Sequence, residues 1–157
     1  MGNPNLEIIT TSYKHTIALG KKVGALLSAG DTVALIGELG SGKTTFTKGI
    51  ARALGLQYTK EINSPSFVLI KEYDLKLPLY HVDVYRLKNP LELECVGFEE
   101  YISERGVLVI EWADKVVSLL PRHYLTIKFE HLAKDTRLLK FIPNGKRYND
   151  MIKDLSI

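Results

Sequence analysis

The stretch Val33-Ala34-Leu35-Ile36-Gly37-Glu38-Leu39-Gly40-Ser41-Gly42-Lys43-Thr44-Thr45 decides the fold. It is an apolar run, then G-x-x-x-x-G-K-T, then the start of a helix-forming segment. Asp31 to Ile36, nearly all apolar and ending in glycine, is what a strand buried on both faces looks like. Gly37, Gly40 and Gly42 let the backbone take crowded or left-handed conformations closed to residues with a Cβ. Their N–H groups can then turn inward around phosphate oxygens. A helix expected over Lys43 to Leu54 aims its N-terminal partial charge and unpaired N–H groups at the same point. Lys43 supplies a point charge for β/γ oxygens, and Thr44 a hydroxyl placed to ligate Mg²⁺. This motif needs a strand before it and a helix after it, and both are present. The chain is therefore expected to bind a nucleoside triphosphate.

On the N-terminal side, Leu19, Val23, Leu26 and Leu27 recur at one face of an amphipathic helix from Lys14 to Ser28, with Thr11 or Ser12 as its cap. On the C-terminal side, Phe46, Ile50, Ala53 and Leu54 line one face of the second helix, and Gly55 stops it. A polar loop from Gln57 to Ser66 contains Asn63-Ser64-Pro65-Ser66. Phe67 to Tyr73 and Leu79 to Tyr85 are expected to form a hairpin. Asn89-Pro90-Leu91-Glu92 signals a helix start, with the helix running to about Arg105 and stopping at Gly106. Val107 to Ile110 is a second buried-type strand, ending in Glu111-Trp112. Lys115 to Leu120 is a short helix cut off by Pro121. Tyr124 to His131 and Arg137 to Ile142 pair antiparallel, and Tyr148 to Ile157 forms a short helix or frays.

The expected fold is α/β: a P-loop NTPase three-layer sandwich with a mixed, mainly parallel central sheet and antiparallel hairpins at the edge. Residues 1–157 are expected to form a single domain, with a tail from about 143 free to fray. With 45% hydrophobic and 25% charged residues the composition is that of an ordinary globular protein. No apolar stretch approaches a membrane span and the N-terminus lacks a signal-peptide layout, so no membrane contact and a cytoplasmic location are expected. A single cysteine, Cys95, excludes an internal disulfide and a cysteine-based metal site. A net charge of +3, from 21 Lys+Arg against 18 Asp+Glu, falls short of a dedicated nucleic-acid binder. Any contact with RNA is expected to be shared with a partner.

A phosphate loop needs an acid at the end of a neighbouring strand, for Mg²⁺ and for the attacking water. Glu111 ends the apolar run Val107-Leu108-Val109-Ile110 in the Walker B layout. Asp83 lies within His81-Val82-Asp83-Val84-Tyr85-Arg86, on a strand expected to face the phosphates. His81 is either a base or a structural histidine. Arg86 either senses phosphate or pairs with an acid at the surface. Trp112 is either a core packer or an exposed aromatic for a partner.

Gly37 to Phe46, Ser64-Pro65-Ser66-Phe67, Tyr80-His81-Val82-Asp83-Val84-Tyr85-Arg86-Leu87 and Ile110-Glu111-Trp112 together resemble the TsaE family, formerly YjeE. These are small bacterial ATPases required for threonylcarbamoyladenosine modification of tRNA. The resemblance runs from about Thr11 to Arg137, and the three motifs beyond the phosphate loop make it distinctive. It implies ATP/ADP and Mg²⁺ as cofactors, ATP hydrolysis, and action with TsaD and TsaB, with tRNA met indirectly through that complex. It also implies that Leu39, Gly40, Ser41, Gly42, Lys43, Thr44 and Thr45 hold the nucleotide, with Lys43 on the β/γ charge and Thr44 with Glu111 on Mg²⁺. Asp83 would join Lys43 and Glu111 in hydrolysis. Ser64, Pro65 and Ser66 would form a switch-like loop, and Thr11 and Arg137 would flank the adenine. Ser66 stands where Thr is commoner in the family, and Ser41 where Ala is.

A small-molecule or nucleotide kinase shares the length and the loop, but would need an Arg-rich lid, and the arginines here are scattered. A GTPase would carry an N-K-x-D segment, which is missing. A module that holds nucleotide without turnover is the third alternative.

Overall fold

The computed structural model describes residues 5–64, 69–102 and 105–156. β1 (Leu6–Thr10) is followed by α1 (Tyr13–Leu26), β2 (Thr32–Ile36) and α2 (Lys43–Ala53). Next come β3 (Ile70–Tyr73), β4 (Leu79–Asp83), the short α3 (Leu91–Cys95) and β5 (Val107–Glu111). β6 (Tyr124–Ala133), β7 (Thr136–Asn144) and α4 (Lys146–Leu155) complete the order. The strands form one seven-stranded sheet in the order β1-β7-β6-β2-β5-β4-β3. Its middle, β6-β2-β5-β4, is parallel, and β7, β1 and β3 are added antiparallel at the two sides. The expected α/β class and mixed sheet are what the chain adopts.

Alternation along the central strands divides the core. Val33, Leu35, Leu79, Val107 and Val109 point to one face and pack with α1, α2 and α4 through Leu19, Phe46, Ile50, Tyr148 and Met151. Ala34, Tyr80, Val82, Leu108 and Ile110 point to the other and pack with Leu93 and Phe98. These two faces with the sheet between them are the three layers. Phe46, fully buried, meets Phe129 edge-on at 5.6 Å and Phe141 at 6.5 Å, so α2 is locked onto the β6–β7 hairpin. Burying such a ring is worth roughly 2–3 kcal/mol. α1 and α2 approach closely because both carry glycine at the contact. A Cβ on Gly20 would sit 2.2 Å from the Phe46 carbonyl oxygen, and one on Gly49 2.1 Å from that of Ile17.

Four segments depart from the sequence reading. β1 was not expected at all. It is a short edge strand with one partner, β7, and its half-buried and exposed positions alternate around a charged Glu7. The helix expected to run to Arg105 stops after α3 at Cys95. Gly97 then takes φ +77 and the chain resumes as a 3₁₀ turn, Phe98–Tyr101. Asn89 still caps its start, accepting from Leu91 N–H, and Glu92 accepts in return from Asn89 N–H. The helix expected after Lys115 is a 3₁₀ segment, Ala113–Leu119, broken by the non-helical Val116. The polar loop after Gln57 contains a 3₁₀ turn, Thr59–Glu61.

The final segment forms α4 with Tyr148, Met151 and Ile152 buried, because those three fall on one helical face. No helix among the described residues is long and apolar enough to cross a membrane.

Candidate functional site

β2 leads into the loop, where Gly40 and Gly42 adopt φ +77 and +109, conformations that side chains with a Cβ resist. A Cβ on Gly40 would meet nothing within 4 Å, so only the backbone turn requires glycine there. Gly42 precedes α2 without a side-chain cap, so the first-turn N–H groups of the helix point into the loop unpartnered by the helix itself. Their partial positive charge and the concave backbone suit an anion.

The carboxyl ends of β4 and β5 supply the acids. His81 and Asp83 follow Leu79 at two-residue steps, and Glu111 follows Val109, so all three lie on the face that α2 covers. Asp83 and Glu111 are register partners on adjacent parallel strands, and Glu111 is also opposite Leu35 of β2. Each strand thus changes from apolar to ionisable as it reaches the loop. Thr44 Oγ1 donates to Glu111 Oε1 at 2.7 Å, and Glu111 Oε2 lies 2.5 Å from His81 Nε2. Asp83 accepts from Tyr85 N–H at 2.8 Å through Oδ1 and from the Ser64 hydroxyl through Oδ2.

Lys43 is buried, and its Nζ donates to the carbonyls of Gly37 at 2.5 Å and Glu38 at 3.0 Å and to Ser41 Oγ at 3.3 Å. The ammonium lies 4.2 Å from the Trp112 ring centroid. Burial lowers its pKa, an effect opposed by the negative field of Glu111, Asp83, Asp114 and Glu38. Trp112 is partly buried and packs against the second face of the core. Its left-handed φ of +63, directly after Glu111, turns the indole over the lysine and against Tyr85, with ring centroids 4.9 Å apart. Holding that backbone costs about 1–3 kcal/mol.

These groups line an open cleft of about 460 Å³. The structure brings Leu39, Gly40, Ser41, Gly42, Lys43, Thr44, Thr45, Ser64, Asp83, Glu111 and Arg137 to its walls. Thr11 is not among them. Its N–H donates to His15 Nδ1, while Ser12 caps α1 by accepting from His15 N–H, and Ser12, Tyr13 and Thr16 line that side of the cleft instead. Pro65 and Ser66 lie outside the described residues. Arg86 reaches the wall as well, as does Asp135.

Arg137 does more than line the cleft. Nε donates to Ser41 O at 3.1 Å and Nη2 to Gly40 O at 3.3 Å, while Nη1 donates to the carbonyls of Ala133, Lys134 and Thr136. It ties the β6–β7 hairpin to the phosphate loop. No sequence signal marks that contact, because the partners are backbone oxygens far away in the chain. The bond between His81 and Glu111 was equally invisible, although the alternation of β4 would have put His81 on the side of Asp83.

A hydroxyl and a carboxylate 2.7 Å apart at the start of α2 fit a hard cation that takes oxygen ligands and few protein side chains. Among the described residues no three His, Cys, Asp or Glu side chains form a metal cage, so the remaining ligands would have to be phosphate or water oxygens.

Comparison with known proteins decides the family. The sequence model of the family described as "Threonylcarbamoyl adenosine biosynthesis protein TsaE" matches residues 10–139. The chain belongs to the TsaE family. A TsaE of Bacillus subtilis, named as a tRNA threonylcarbamoyladenosine biosynthesis protein, is 43% identical over 148 residues, covering 94% of this chain and 91% of the relative. One of Treponema pallidum is 42% identical over 132 residues, covering 84% and 96%. The crystal structure of Bacillus subtilis YdiB aligns with a TM-score of 0.84 at 36% identity, over 99% of this chain and 97% of that one. The TsaE match starts at Thr10, at the end of β1, and closes at Leu139 in β7, so it takes in every group of the cleft named above.

Proposed function

We propose that this chain binds ATP in the cleft and hydrolyses it with Mg²⁺, in support of threonylcarbamoyl modification of the tRNA adenosine beside the anticodon. TsaD and TsaB are the proposed partners, with tRNA engaged through them in the cytoplasm. The observation that carries the ATP reading is the meeting of Thr44 and Glu111 at the mouth of the phosphate loop. A structural glycine turn needs neither.

In this reading the N–H groups from Gly40 to Thr45 bind the phosphates, and ADP remains on the same groups after hydrolysis. Lys43, which now spends its N–H donors on Gly37, Glu38 and Ser41, exchanges one of these for a β/γ oxygen. Burial lowers its pKa, and an anionic ligand would raise it again. Thr44 and Glu111 would hold Mg²⁺, which supplies neutralisation of charge on the transferred phosphoryl group. Asp83, fixed by Tyr85 N–H and the Ser64 hydroxyl, orients the attacking water. Through its bond to Asp83, Ser64 would respond to the γ-phosphate. Arg137 keeps the loop in shape.

The tRNA role is supported by family membership and by the relatives' printed names. It is tested by measuring ATP hydrolysis alone and with TsaD, TsaB and tRNA. Stimulation by the partners is the expected result. Transfer of phosphate to a small molecule would overturn the reading in favour of a kinase.

A further inference from the structure

His81 is fully buried on β4, one layer below Asp83 and beside Val109 of β5. A buried imidazole has two ring nitrogens to satisfy. Among the described residues Nε2 has one partner, Glu111 Oε2 at 2.5 Å, and the buried Nδ1 has none. With Glu111 ionised, the bond requires a proton on Nε2, and Nδ1 is left without a hydrogen-bond partner among the described residues. Leucine or methionine would fill the same layer without stranding a polar atom. Packing therefore does not account for a histidine here, whereas its bond to Glu111 does.

Glu111 is gripped from both sides. Its Oε2 takes the His81 N–H and its Oε1 takes the Thr44 hydroxyl at 2.7 Å. One oxygen is thereby fixed from inside the sheet, by a histidine that is fully buried. The other is left facing Thr44 and the cleft. Without the inner bond the carboxylate could rotate about its last torsion, a soft one with broad preferences. Groups that orient a metal-binding carboxylate from behind typically change metal affinity by about 10–100-fold when removed.

We propose that His81 is a positioning residue that presents Glu111 Oε1 toward Thr44 for Mg²⁺, an inference that rests on the Mg²⁺-nucleotide reading above. The test uses two polar variants of similar size. His81→Gln keeps an N–H donor near the position of Nε2, while His81→Asn places its amide near Nδ1 and falls short of Glu111. ADP affinity is measured by calorimetry for the full-length chain in Mg²⁺ and in EDTA, and the ratio of the two affinities is compared.

His81→Asn is expected to lower the Mg²⁺ enhancement about ten-fold with affinity in EDTA unchanged, and His81→Gln to restore most of it. An enhancement equal to the wild type in His81→Asn, or no recovery in His81→Gln, overturns the proposal. Should a variant fail to fold, ¹⁵N spectra of the wild-type imidazole decide. A proton on Nε2 supports the proposal, and a proton on Nδ1 alone contradicts it. Absence of any Mg²⁺ enhancement in the wild type would instead break the nucleotide reading, so the two failures are distinct.

Discussion

β2 has a polar cluster at each end, and the two are built on opposite terms. At its start, Asp31 accepts from Ser28 N–H at 2.7 Å and from Arg147 Nη2 at 2.9 Å, while Arg147 also reaches the Leu26 carbonyl at 2.6 Å. The Tyr148 hydroxyl accepts from Thr32 N–H at 2.9 Å. These groups are matched to each other, and together they latch α4 to the sheet. At the far end of β2 the matching is incomplete. Lys43 is held by two carbonyls and a hydroxyl while the acids around it serve Thr44, Ser64 and a histidine whose Nδ1 has no partner among the described residues. A closed polar cluster fixes structure. An open one, with charge in excess of its internal partners, is prepared for something from outside.

The open end depends most on Lys43. Lys43→Ala removes a charge aimed at the ligand, and triphosphate affinity should fall about 100-fold or more, equivalent to roughly 3 kcal/mol. Calorimetric titration with ATP checks this, and an effect confined to melting temperature would make the two clusters alike.

The closed end is sharpened by pH. Burial raises the Tyr148 pKa to about 12, against a smaller lowering by Thr32 N–H. A raised folded-state value means that stability is complete below the unfolded pKa near 10 and is lost as pH rises through the folded one. Denaturant titrations should therefore lose about 2–3 kcal/mol between about pH 10 and 12, and Tyr148→Phe should lack that component.

A smaller effect is expected at Arg147, whose pKa is raised chiefly by its hydrogen bond to Asp31. Its side chain is 45% exposed, so solvent screens the pair. Arg147→Ala should cost about 1–2 kcal/mol in urea melts, since it leaves Asp31 less well paired. ATP affinity should not move. A fall in affinity would show that the latch and the cleft are coupled along β2.

How much of this was legible in the sequence follows from distance along the chain. The strand, loop and helix around Lys43 are contiguous, so their order is written locally, and Glu111 is marked by the four apolar residues before it. Contacts between distant segments carry no such mark. Arg137 meets Gly40 and Ser41 only because β7 folds back beside β6, and His81 finds Glu111 only because β4 and β5 lie side by side. The close approach of α1 to α2 needs Gly20 and Gly49 together, and neither alone announces it. The break after α3 was different. Gly97 stands inside the expected helix, and a glycine at that place was a readable stop. β1 was hidden by its brevity and single partner, since an edge strand needs only weak alternation.

On the proposed reading, Thr44 and Glu111 make the open end of β2 a Mg²⁺-dependent ATPase site. Glu111→Gln, which keeps the shape and removes the charge, measures it most directly through phosphate release from ATP at varied Mg²⁺ with TsaD, TsaB and tRNA present. ATP should still bind in EDTA, while Mg²⁺-dependent turnover falls about 100-fold or more. Mg²⁺-dependent hydrolysis at the wild-type rate in Glu111→Gln would contradict the account.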